Sequence, residues 1–213
     1  MKNTKLIEIE IDFKISEAND THFLAPHATT GFNRVMNGGV DLLLGDIIDL
    51  DLCKKKKVTS ARELQDTLIE VYKMRFVSGN HSLMFYNIFV VLILPNGVRI
   101  LATHGDYLFY DKDRADNYRN RDEGSGFIRR GGAKILDGWR LNFRDPRIKD
   151  DVMYRAVELM REHDCSTLIC GHSHRNKLGT KTKHGYTFHV LPKGINEILF
   201  SASGRIEKLV NIR

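Results

Sequence analysis

The sequence predicts a layered α/β domain, with helices covering a core made mostly of two sheets. Three observations lead there. Apolar strand-like runs alternate with amphipathic helical stretches in the front part of the chain, short strand-like runs dominate the back, and polar residues recur where those runs end.

Taken in order, residues 5–15, KLIEIEIDFKI, alternate apolar and charged side chains with period two and read as one strand. The run from Val40 to Leu44, bounded by glycines, suits a buried strand that ends at Gly45-Asp46. TSARELQDTLIEVYKM places Leu64, Leu68 and Val71 at helical spacing, and Ser60 with Glu63 forms a capping box that predicts where the helix starts. A brief Phe76-Val77 leads into Ser78-Gly79-Asn80-His81. NIFVVLIL and VRILAT, joined by Pro95-Asn96-Gly97, read as a hairpin whose second strand runs into His104-Gly105-Asp106. DDVMYRAVELMREH is an amphipathic helix with Val152, Ala156, Val157 and Met160 inward and aspartates at its N-terminus. It delivers the chain to TLIC and to Gly171-His172-Ser173-His174. YTFHVL, NEILF and RIEKLV then read as three short strands. Residues 107–150 carry many Arg and Asp and little periodicity, the signature of a functional loop or cap.

At 213 residues the chain can build one substantial core, so residues 1–213 are read as a single domain with 107–150 as an insertion within it. A hydrophobic fraction of 42% and a charged fraction of 28% are those of a globular protein rather than a disordered or fibrous one. The net charge of +6 favours polyanionic partners: phosphates, nucleic acid or an acidic membrane surface. Three cysteines, Cys53, Cys165 and Cys170, are an odd number and do not make a disulfide framework, which points to a reducing compartment. The N-terminal stretch has no apolar signal core and no run is long enough to span a bilayer, so a cytoplasmic protein is expected, with peripheral membrane contact left open.

Asp20-Thr21-His22, Gly45-Asp46, Gly79-Asn80-His81, His104-Gly105-Asp106 and Gly171-His172-Ser173-His174 all follow strand-like runs. In open α/β folds the loops at the carboxyl ends of strands converge on one edge, and ligand sites form there. Carboxylate, carboxamide and imidazole groups without thiolate suit Mn, Fe, Zn or Ni at a hydrolytic site. Each cluster taken alone is also ordinary turn chemistry; their order and common placement are what single them out.

This ordered set resembles the calcineurin-like metallophosphoesterase superfamily. The resemblance implies a four-layer α/β/β/α sandwich of two mixed β-sheets flanked by helices, a cap-like insertion, and two divalent metal ions, manganese first with Fe, Zn or Ni as alternatives. It implies Asp20, His22 and His174 on one ion, Asn80, His104 and His172 on the other, and Asp46 bridging them. His81 is implied as the acid or charge-stabilising group above the pair. Alternating directions along an extended chain would send His172 and His174 to different ions. Two ions about 3.5–4 Å apart can generate a hydroxide at neutral pH and bind phosphoryl oxygens as they gain charge. Two departures stand out. Ser82 follows His81 where the family commonly has an acidic residue, and SEAND, residues 16–20, is more polar than the family's usual approach to its first Asp. Asp12 is the other candidate for that first carboxylate, although no His lies two residues beyond it.

The THGD motif and the long insertion look most like the UDP-2,3-diacylglucosamine pyrophosphohydrolase branch, although the insertion is rich in arginine and poor in apolar faces. Arg129 and Arg130 suit a phosphate-bearing substrate, alongside the sole Trp139. The expected activity is therefore hydrolysis of a phosphorylated small molecule or nucleotide as a phosphatase or phosphodiesterase. A nucleotide-sugar or lipid-sugar pyrophosphohydrolase and a nuclease are the alternatives. Lys54 to Lys57 rim the Gly45-Asp46 loop or are solvated surface, which keeps nucleic acid open as a partner. Two rivals come from other classes: an inactive interaction scaffold on the same fold, and a structural zinc module built from Cys165, Cys170, His172 and His174.

Overall fold

A computed structural model describes residues 7–21, 23, 31–48, 58–79, 88–109, 148–173 and 176–212. In chain order the elements are β1 (Ile7–Glu10), β2 (Lys14–Asn19), α1 (Phe32–Met36), β3 (Leu42–Leu44), α2 (Val58–Tyr72), β4 (Phe76–Val77), β5 (Phe89–Ile93) and β6 (Arg99–Thr103). They continue with α3 (Asp106–Phe109), α4 (Asp150–Glu162), β7 (Thr167–Cys170), β8 (Gly179–Lys183), β9 (Tyr186–Val190), β10 (Gly194–Phe200) and β11 (Ile206–Ile212).

Two mixed sheets form. One has the order β1-β5-β6-β7-β9-β8 and the other β11-β10-β2-β3-β4. In the first, β1 runs parallel to β5, and β6, β7 and β9 run parallel to one another, while β5/β6 and β8/β9 are antiparallel hairpins. In the second, β2, β3 and β4 run parallel and β10 lies antiparallel to both β2 and β11.

The apolar side chains sort into three layers. Ile9, Ile15, Leu42, Leu44, Val90, Leu92, Ile100, Ile169 and Ile198 come from both sheets and fill the space between them. Ala18, Leu43, Phe76 and Ile195, on the far face of the second sheet, pack against Val35 of α1 and Leu68 and Tyr72 of α2. Val91, Leu101, Leu168 and Phe188, on the far face of the first sheet, pack against Val152, Met153, Ala156, Val157 and Met160 of α4. The result is the α/β/β/α sandwich. Each large aliphatic side chain taken from water in these layers contributes roughly 1.5–3 kcal/mol.

Four local expectations change. Residues 5–15 are not one strand: the chain crosses between sheets at residues 11–13. The Ile11 N–H still donates to Ile93 of β5, whereas the Phe13 carbonyl already accepts from Phe200 of β10. Period-two alternation survives the crossing because Ile9 and Ile15 both enter the inter-sheet layer. Next, α2 is already helical at Val58, so Ser60 lies inside it and is not its cap. Val71 is exposed and Tyr72 buried in its place, its hydroxyl donating to the Val35 carbonyl at 2.7 Å. Finally, the back of the chain holds four strands rather than three. β8, GTKTK, is too polar to read as a strand, and it is made by a two-residue turn in which His184 and Gly185 have φ of 51° and 84°. Those are the values that a type I′ hairpin needs. The trailing strands also divide, β8 and β9 joining the first sheet and β10 and β11 the second.

Candidate metal centre

The carboxyl ends of β2, β3, β4, β6 and β7 meet at one end of the sandwich, and each passes directly into one of the polar motifs. The loops after β2 and β3 continue side by side past their strands. The Asp20 N–H donates to the Gly45 carbonyl at 3.2 Å and the Phe23 N–H to the Ile47 carbonyl at 2.8 Å. The Thr21 hydroxyl donates to the Ile47 carbonyl at 3.0 Å. This pairing fixes Asp20 relative to Asp46 before any ion is involved.

Three buried side chains converge at the centre. Ligand atoms of Asp46, His104 and His172 all lie within 4.8 Å of one another. His104 Nδ1 sits 2.9 Å from the Leu44 carbonyl oxygen. That oxygen can only accept, so Nδ1 carries a proton and donates it. The ring therefore turns Nε2 inward, 3.2 Å from Asp46 Oδ2 and 3.0 Å from His172 Nδ1. A backbone carbonyl that holds the outer nitrogen is the usual way a metal-binding imidazole is oriented. Asp20 Oδ2 accepts from the His172 N–H at 2.7 Å, which ties the β2 and β7 loops together across the two sheets. The Phe109 ring lies against His172, with centroids 5.7 Å apart.

The electrostatics of the two imidazoles diverge. Burial works against charge on His104, but Asp46 beside it, with Asp20 and Asp106 adding, raises its pKa to about 9. For His172, burial first and the charge of His104 second lower the pKa to about 3. One proton is thus held at His104 against Asp46, and His172 is neutral. A bound cation would displace the Nε2 proton of His104, and two neutral imidazole nitrogens with a carboxylate form a donor set suited to a first-row divalent cation, so these residues fit such an ion.

The glycines of the motifs hold the loops this close. A Cβ on Gly79 would collide with the Asp46 carboxylate and come within 2.6 Å of the Asp46 amide nitrogen. One on Gly45 would sit 2.6 Å from His104 Nδ1, and one on Gly171 would sit 2.8 Å from Asp20 Oδ2. Asp20, Asp46 and His172 themselves adopt left-handed backbone conformations, with φ of 47°, 51° and 65°. Such conformations cost of order 1–3 kcal/mol each and persist only where the surroundings enforce them.

Of the residues expected at the site, Asp20, Asp46, His104 and His172 come together. His22, Asn80, His81, His174, Arg129 and Arg130 lie outside the described residues, as does most of the 107–150 insertion. Asp12 is no substitute for Asp20. It lies at the other end of β2, where it lines a cleft of about 540 Å³ with Lys14, Asp41 and Arg75. The zinc-module alternative also fails. Cys165 lies before β7 and Cys170 ends it, so the strand itself, about 10 Å long from Thr167 to Cys170, stands between them, too far for one ion. Both thiols are buried, and burial raises the Cys165 pKa to about 11. Sequence reasoning gave no role to Asp106, which is buried at the start of α3 and acts electrostatically on both imidazoles. Its position in His104-Gly105-Asp106 was the available signal.

Residues 13–176 match the family described as calcineurin-like phosphoesterase. Among solved structures, the chain is similar to wild-type Vps29 from Entamoeba histolytica complexed with zinc, at 16% identity over 92% of this chain and 98% of that one, with a TM-score of 0.40. It is similar to a predicted phosphoesterase from Streptococcus pneumoniae at 17% identity, over 87% and 82% of the two chains, with a TM-score of 0.38. It is also similar to a dimetal phosphatase from Danio rerio at 11% identity, over 88% and 92%, with a TM-score of 0.43. No curated protein matches the sequence.

Proposed function

The chain belongs to the calcineurin-like phosphoesterase family, and from that premise we propose that it is a metal-dependent phosphoester hydrolase working at the end of the sandwich where Asp20, Asp46, His104 and His172 meet. The observation that carries this reading is the packing of Asp46, His104 and His172 within 4.8 Å, with His104 held by Leu44 so that Nε2 faces the other two. In the proposal Asp46 would be shared by two ions, His104 and His172 would hold one with Asn80, and Asp20 would hold the other with His22 and His174. When bound, divalent ions would supply a nucleophile at neutral pH and neutralise charge on the phosphoryl oxygens. The chain's own part is to set ligand positions through the Gly45, Gly79 and Gly171 contacts and to keep His104 oriented. His81 is assigned to protonate the leaving oxygen or stabilise the charge developing beside it. Arg129 and Arg130, in the proposed 107–150 cap, are assigned to substrate phosphate. A phosphorylated small molecule or nucleotide is the substrate class, manganese the preferred ion, and the reducing cytoplasm the setting. No described helix is long and apolar enough to cross a membrane.

The test is metal-dependent hydrolysis of a panel: an aryl phosphate, an aryl phosphodiester, a nucleotide sugar and single-stranded DNA. Asp46→Asn and His81→Ala are the comparison proteins. Manganese-dependent turnover of at least one substrate, lost in Asp46→Asn, is the expected result. Equal behaviour of wild type and both variants would remove the catalytic assignment.

A further inference from the structure

The polar approach to Asp20 is not explained by metal ligation, because Glu17 and Asn19 stand in a β-strand and face the layer between the sheets. Both are fully buried, on the same face as Ile15 of the apolar core. They find their counterpart on β10. The Asn19 side-chain amide donates to Glu17 Oε1 at 2.9 Å and to the Pro192 carbonyl at 3.1 Å. The Asn196 amide, also buried, donates to the same Glu17 oxygen at 2.5 Å and to the same carbonyl at 2.8 Å. Asn211 of β11 closes the cluster from outside by donating to Asn196 Oδ1 at 2.8 Å. Two carboxamides thus share two acceptors, the Glu17 carboxyl group from β2 and a carbonyl from the β9–β10 connection.

This arrangement reaches the metal centre through one residue. Asn19 is the last residue of β2, paired with Gly194 of β10, and Asp20 follows it directly. Its side chain also walls the loop after β7, since a Cβ on Gly171 would lie 2.9 Å from both Asn19 Cβ and Oδ1. Movement of Asn19 would therefore displace both Asp20 and the His172 amide bonded to it.

We propose that Glu17, Asn19 and Asn196 are positioning residues for the metal centre: their clamp holds Asp20 in its left-handed conformation and seats the His172 loop against it. The inference rests on the reading of Asp20 as a metal ligand. Partners that orient metal ligands typically change metal affinity by about 10–100-fold when removed. A cluster that served only to fill the core would change folding stability and leave the affinity of the folded protein alone.

The experiment is Mn²⁺ binding to the full chain without substrate, followed by electron paramagnetic resonance of the free ion, alongside denaturant unfolding. Asn196→Ala removes a donor from Glu17 and touches no proposed ligand; about a 10-fold weaker Mn²⁺ affinity is expected. Ile198→Val, on the same strand and in the same inter-sheet layer, should lower stability and leave affinity unchanged. Equal affinities in wild type and Asn196→Ala overturn the clamp. Should Asn196→Ala fail to fold, Asn211→Ala takes its place: an affinity loss of about 3-fold supports the clamp, since the perturbation is one bond further out, and an unchanged affinity overturns it. Absence of Mn²⁺ binding by the wild-type protein defeats the metal reading itself and the clamp with it; binding that no variant alters defeats the clamp alone.

Discussion

Replacing Glu17 with Gln should remove a pH dependence from the stability of the protein. The Glu17 pKa is raised from 4.5 to about 8, by burial first and by Asp20 as a lesser contributor, against the lowering effect of the Asn19 and Asn196 bonds. The folded state therefore holds this proton more tightly than the unfolded state does. Below pH 4.5 both states are protonated and the group contributes nothing to the pH dependence. Between that point and about pH 8 the unfolded chain ionises while the folded one does not, so stability falls as pH rises. At about 1.4 kcal/mol per pH unit the total is about 5 kcal/mol, complete once the pH exceeds the folded pKa. Glu17→Gln lacks this titration. The assay is urea unfolding of both proteins at pH 5, 6, 7, 8 and 9 with a chelator present, so that metal linkage does not enter. Titrations common to both proteins cancel in the difference. Glu17→Gln is expected to gain on wild type by several kcal/mol from pH 5 to about 8 and to level off by pH 9. Two parallel curves separated by a constant offset would refute the reasoning.

Gly79→Ala should force the β3 and β4 loops apart, because the added methyl group meets the Asp46 carboxylate and amide; a loss of about 1–3 kcal/mol on unfolding, typical of overpacking, should come with weakened Mn²⁺ binding by calorimetry. Metal should stabilise the wild-type protein by about 2.7 kcal/mol at a free concentration 100 times the dissociation constant. Differential scanning calorimetry should show that shift, and it should vanish in Asp46→Asn and on adding chelator. Met153→Ala, in the fully buried face of α4, should cost about 2–5 kcal/mol in urea unfolding. It should leave Mn²⁺ affinity unchanged, because α4 supplies no group to the site.

The strands that place the site were legible because apolar runs such as LLL at β3 and TLIC at β7 are short, fully buried and end in Gly followed by a polar residue. The same Gly-polar pairs gave Asp46 and His172; a Cβ has no room at either glycine, and Gly45 also has a left-handed backbone, with φ of 80°. Asp20 was legible only by its place in the series, since no glycine marks it. What stayed hidden depends on contacts between distant segments. Nothing within residues 5–15 tells that β1 and β2 belong to different sheets, because each presents its isoleucines to the same layer. β8 carries no apolar pattern and exists because β9 offers it an edge and His184-Gly185 turns the chain. Glu17 falls in register with Ile15 on the inward face, where a carboxyl group breaks the apolar pattern, and Asn19 together with Asn196, 179 residues away, makes its burial tolerable.

The left-handed backbone at Asp20, Asp46 and His172 sets function and durability against each other. At all three positions glycine would sit more comfortably, and asparagine nearly so, yet neither brings a carboxylate or an imidazole. A population of variants selected for heat resistance alone should therefore drift toward glycine and asparagine at these sites, becoming tougher and inert. The native residues can persist only while something rewards what their side chains do.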